Sequence, residues 1–124
     1  MIKEQLVSFE VAQLLKAKGF NIIVTDSYRA NGQLRGEFKF CNYPAPTQQM
    51  AMRWLREKHL IHIEIEAYPH EDGCFYWCCK VFQMDNVALG YYKKMQKAGF
   101  DSYEDAIEYA IKDCLKNDFY ETGM

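Results

Sequence analysis

Imidazole and thiol groups crowd into HEDGCFYWCC, where His70, Cys74 and either Cys78 or Cys79 offer ligands of the kind that hold zinc. The stretch has no paired C-x-x-C, and an extended strand sends Cys78 and Cys79 to opposite faces, so small buried thiols are the stronger reading. The row His62, Glu64, Glu66 is a second candidate. Imidazole beside carboxylates suits acid–base chemistry or cation binding where the groups line a concave, partly dry site, and a solvated strand face explains the same row. Cys78 on the side of His62 would put a thiol near a base, but no orienting group or oxyanion donor accompanies the pair. The glycines are scattered and form no phosphate-binding loop. On this reading no catalytic residue, metal ligand or cofactor is assigned, and a cryptic metal or thiol enzyme ranks behind two other functions.

Nucleic-acid binding is the runner-up. Its candidate contacts are Arg29, Arg35 and Lys39 around one hairpin and Arg53 and Arg56 on a helix, with Lys58, Lys93, Lys94 and Lys97 as further cations and Tyr28 and Tyr76 as stacking surfaces. Asp26 and Glu37 interrupt the first cluster, and a formal net charge of −2 supplies no bulk attraction to phosphate.

These residues need elements to position them. At 124 residues, 49% apolar and 26% charged, the chain suits one domain, residues 1–124, with a genuine core. In SFEVAQLLKAKGF, Ser8 caps a helix over about 9–18 that Gly19 stops. In FNIIVTDSYRANGQLRGEFKF, Asn31-Gly32 predicts a two-residue type I′ turn, pairing Ala30 with Gln33 and Ser27 with Gly36 and gathering Ile23, Leu34, Phe38 and Phe40 on a core face. Thr47 caps a second helix carrying Met50, Ala51, Trp54 and Leu55 on one side.

From Leu60 the hydrophobic period falls to two. Ile61, Ile63, Ile65 and Ala67 point inward and His62, Glu64 and Glu66 outward. CFYWCCKVF answers with Phe75, Trp77, Cys79 and Val81 inside and Cys74, Tyr76, Cys78, Lys80 and Phe82 outside, if Tyr68 pairs with Cys74. Residues 84–99 fit a short helix, with Asp85 as cap, Ala88, Tyr91, Tyr92 and Met95 at helical spacing and Gly99 as stop, against Gly90 and the β-prone VALGYY. Ser102 caps the last helix, whose apolar face is Ala106, Ile107, Ala110, Ile111, Cys114 and Leu115. The fold expected is α+β, in the order α-ββ-α-ββ-(α)-α, with a four-stranded antiparallel sheet and the helices packed on one face.

The segments SFEVAQLLKAKGF, APTQQMAMRWLREKH running into IHIEI, and FDSYEDAIEYAIKDCL together resemble a group of small uncharacterised proteins of gut Bacteroides-type bacteria and their phages or mobile elements. The resemblance covers both ends and the middle of the chain and is weakest over residues 68–99. It implies a phage- or mobile-element-related origin and an intracellular setting, and it carries no activity.

MIKEQLVSFEVAQ lacks the apolar core of a signal peptide, no run of about 18 apolar residues could cross a bilayer, and five cysteines without repeated spacing do not read as a disulfide framework. The expected location is the cytoplasm. One face of the expected sheet then needs a cover. Ile22, Val24, Tyr28, Tyr76, Cys78 and Phe82, with Cys41, would share an apolar and aromatic surface suited to a protein partner or a homodimer. The leading reading is a non-enzymatic protein-interaction or regulatory module without cofactors.

Overall fold

The structure, a computed structural model, describes residues 4–37, 42–85 and 90–117. Nine elements follow in order: α1 (Phe9–Ala17), β1 (Ser27–Tyr28), β2 (Leu34–Arg35), β3 (Tyr43–Pro44), α2 (Gln48–His59), β4 (Ile61–Pro69), β5 (Phe75–Asp85), β6 (Gly90–Phe100) and α3 (Tyr103–Lys116).

All three helices begin on the hydroxyl caps expected. Ser8 accepts from the Val11 N–H at 3.2 Å, Thr47 from Met50 at 3.1 Å and Ser102 from Asp105 at 3.0 Å, each satisfying an N–H that a helix start leaves without a partner. At the far end of α1, Gly19 takes φ +89°. The Phe20 N–H donates to Leu15 O at 2.9 Å and the Gly19 N–H to Lys16 O, a Schellman cap that turns the Phe20 ring into the core.

The fold is α+β, but its strands form two antiparallel three-stranded sheets, ordered β2-β1-β3 and β4-β5-β6, in place of the single four-stranded sheet expected. The first hairpin is the reason. Its loop closes on Arg29 and Gln33, with the Arg29 N–H donating to Gln33 O at 2.9 Å and the Gly32 N–H to Arg29 O at 2.8 Å. Only Gly32 has positive φ, so the turn is not type I′, and Ser27 pairs with Arg35 and Tyr28 with Leu34. That register is one residue from the expected one, and in a pleated strand one residue exchanges the faces. Ile23 is 91% exposed and Leu34 47%, so neither is core; Phe38, Phe40 and Cys41 lie outside the described residues. With two residues per strand the hairpin cannot extend a long sheet, and β1 instead pairs with β3.

Ile22, Val24 and Tyr28 are corrected with it. They sit half-buried against the main core, and the Tyr28 hydroxyl donates to Val7 O at 2.5 Å, so they do not join Tyr76, Cys78 and Phe82 on one face. The Phe9 ring of α1 lies against the small sheet, tilted to Tyr28 at 5.7 Å and edge-on to Tyr43 at 5.6 Å.

The second sheet is the larger one. β4 and β5 pair from Ile61↔Gln83 to Pro69↔Phe75, so Tyr68 faces Tyr76 rather than Cys74; a slip of two residues keeps the expected alternation, but Phe75, expected inside, is 65% exposed at the end of the ladder. Residues Gly90–Phe100 are a strand, not the short helix expected. Gly90 and the neighbouring tyrosines oppose a helix, while the free edge of β5 offers hydrogen bonds along its length. Two bulges interrupt this pairing, between Trp77 and Cys79 and between Val81 and Phe82 on β5.

Helices α2 and α3 cover one face of this sheet. Ala106, Ile107, Ala110, Ile111, Cys114 and Leu115 of α3 are all buried, and meet Ile61, Cys79 and Val81 from the strands and Val11 and Leu15 from α1. Trp54 of α2 lies edge-on to Phe20 at 5.3 Å and to His59 at 4.7 Å. Among the described residues no helix is long and apolar enough to cross a membrane.

Candidate interaction site

The joint between α2 and β4 sets up the site. Leu60, in the left-handed region at φ 57°, is the C-cap of α2, and its N–H donates to Leu55 O. One residue later the chain is extended, with Ile61 buried and His62 outward. The turn brings Arg56, from the last turn of the helix, to the same groove as the outward side chains of the strand.

That groove, of about 360 Å³, is lined by Arg56, His62, Glu64, Phe82, Met84 and Tyr91. His62 faces Phe82 across the β4–β5 ladder with its ring stacked at 6.5 Å, and the Tyr91 ring meets Phe82 edge-on at 5.3 Å. Met84 and Tyr91 are 41% and 63% exposed, large apolar groups left in water on the side no helix covers. Among the described residues neither Arg56 nor Glu64 forms an ion pair or a side-chain hydrogen bond. Farther along the open face Lys80 bonds Glu66 at 2.5 Å, which holds the ammonium above its usual range.

The candidate reactive residues do not converge here. Cys78 lies opposite Glu66, and His62 lies opposite Phe82, four residues along the strand and so about 14 Å away. Cys78 and Cys79 do take opposite faces, both buried, and desolvation pushes the Cys79 thiol up to about 11. His70 and Cys74 meet only at the hairpin tip. There the Asp72 carboxylate accepts from the Cys74 N–H and the Tyr76 hydroxyl, both at 2.9 Å, and lies 3.5 Å from His70 Nδ1. Among the described residues no three His, Cys, Asp or Glu side chains are grouped to hold a metal ion.

The candidate phosphate contacts are dispersed as well. Arg29 and Arg35 flank the small hairpin, Lys39 lies outside the described residues, and Arg53 is engaged by Glu57 at 2.8 Å on α2. Of the residues expected on a partner face, Tyr76, Cys78 and Phe82 are on the open side, with Cys78 buried beneath its neighbours. Met84 and Tyr91 were overlooked because the segment holding Tyr91 read as a helix. Strict alternation onward from Phe82 was the signal that would have placed Met84.

The chain matches no protein-family model, no curated protein and no solved structure.

Proposed function

We propose that the protein is a non-enzymatic interaction module that recognises another protein through the open face of its second sheet. The observation behind this is the groove beside the α2–β4 joint. Its walls include Phe82, Met84, Tyr91 and Arg56, residue types enriched at the centres of protein interfaces, and Met84 and Tyr91 are exposed where a monomer has no use for them. A cytoplasmic site of action and a phage- or mobile-element origin are part of the same proposal and rest on the sequence resemblance.

The test is site-specific photo-crosslinking in the source cell. A photoreactive residue at position 82 or 91 should give protein adducts, and one at position 13, on the exposed side of α1, should not. Adducts to nucleic acid, or equal yields from all three positions, would reject the reading.

A further inference from the structure

We infer that the open face binds a second copy of this chain about a two-fold axis, with Arg56 of each copy on Glu64 of the other. The inference rests on the interaction-module reading and names its partner. Arg56 and Glu64 line one groove, carry opposite charges and form no ion pair or side-chain hydrogen bond among the described residues, each having one unlike charge at longer range, Glu57 for Arg56 and Lys80 for Glu64. In a two-fold interface, residue i of one subunit meets j of the other while j meets i. A patch holding one cation and one anion outside any ion pair can therefore be its own complement, with two equivalent Arg56–Glu64 pairs across the axis.

The rest of the face agrees. Arg56, Lys80 and Lys93 face outward with Glu64 and Glu66, a mixture of signs that repels neither a like copy nor itself. A face dedicated to nucleic acid would carry one sign. Tyr91, a wall of the same groove edge-on to Phe82, is 63% exposed and Met84 41%, so the apolar lining between the two charges is open to a second copy.

Pairing through the β6 edge is the weaker alternative. The outer strand β6 carries Lys93, Lys94 and Lys97 and no carboxylate, so two β6 edges repel, and its bulges twist the edge away from a regular ladder.

Size sets the strength. A three-stranded face about 36 Å long and about 14 Å wide presents roughly 500 Å², below the roughly 800 Å² per partner of a standard interface, so the dimer is weak and reversible.

Sedimentation velocity from about 1 μM to about 500 μM should show a monomer–dimer equilibrium that weakens as NaCl is raised from about 50 mM to about 500 mM. Arg56→Glu and Glu64→Arg should each loosen it at least about tenfold, and the double variant should return to within about threefold of wild type. Both positions are exposed and without ion pairs, and an unchanged thermal midpoint verifies the fold of each variant. A monomer throughout, a dimer indifferent to both single changes, or a double variant no better than the singles would overturn the inference. Protein adducts from positions 82 and 91 that join this chain only to other proteins would also sink it, while leaving the interaction-module reading intact.

Discussion

Ser8 and Glu108 lie 100 positions apart and share a hydrogen bond. The Ser8 hydroxyl, which caps α1, donates to Glu108 Oε2, and the Ser8 N–H also points at the carboxylate, at 3.3 and 3.4 Å. Gln48, buried at the start of α2, donates to Glu108 Oε1 at 3.4 Å and to the Glu104 carbonyl at 3.0 Å. One carboxylate on α3 therefore serves the N-terminal ends of both other helices, where helix dipoles favour negative charge.

This sharing separates two serines that look alike in sequence. Ser102→Ala removes a cap alone and should cost about 1 kcal/mol. Ser8→Ala removes a cap and a charge-assisted bond, and about 2–3 kcal/mol is expected in urea unfolding. The cycle with Glu108→Ala should show a coupling of about 1 kcal/mol or more; simple additivity would mean the contact is idle.

The loop of the first hairpin should discriminate between its two central residues. Gly32 needs φ +88°, and a Cβ there would stand 3.3 Å from the Phe9 ring, so Gly32→Ala should cost at least about 1–2 kcal/mol. Asn31 has no positive φ and contributes one bond, its Oδ1 accepting from the Gln33 N–H at 2.9 Å. Asn31→Ala should cost about 1 kcal/mol or less, with both variants measured by thermal unfolding. Equal losses would restore the two-residue turn.

The buried thiol of Cys79 predicts an alkaline limit. Its pKa is raised from 9.0 to about 11, chiefly by desolvation and then by Cys78, so the unfolded chain releases this proton first. The contribution is whole below about pH 9 and is lost as the pH climbs toward 11. Urea midpoints at about pH 8 and about pH 10.5 should fall less for Cys79→Ala than for wild type. Native iodoacetamide labelling in a Cys41→Ser background should modify exposed Cys74 and spare buried Cys78, Cys79 and Cys114.

At the tip of the β4–β5 hairpin, Asp72 is held below the usual carboxylate range, first by the Cys74 N–H and then by the Tyr76 hydroxyl. A lowered folded pKa means that the support it gives is present above the ordinary carboxylate value and fades as acid protonates the folded group. Asp72→Ala should speed amide hydrogen exchange at Cys74 near neutral pH, and the difference from wild type should narrow in acid. Unaltered exchange would show that Gly73, at φ +85°, shapes the turn unaided.

Periodicity revealed what depends on local pattern. The six apolar positions of α3, the change of period at Leu60 and the three hydroxyl caps were readable because each needs only residues within a turn or a strand. The register of the first hairpin was not, since Asn-Gly fits a two-residue turn and the three-residue loop seen here equally well, and packing of Phe9 over Gly32 accompanies the second. Strand β6 was misread because Tyr91, Tyr92 and Met95 fit a helical spacing; pairing with β5 outweighed it. Of the site, His62 and Phe82 were legible as outward residues, whereas the arrival of Arg56 depends on a left-handed leucine that no propensity predicts. Glu108 left no sequence signal, because its partners come from the opposite end of the chain.

Helices α1 and α3 also bury their apolar faces on each other, Val11 and Leu15 with Ile107 and Ile111. On the ribosome, where synthesis advances by about 5–20 residues per second, α1 must wait several seconds for its counterpart. During that interval its greasy stripe and the inner side of the long meander are uncovered, and a ribosome-associated chaperone would have its opportunity there.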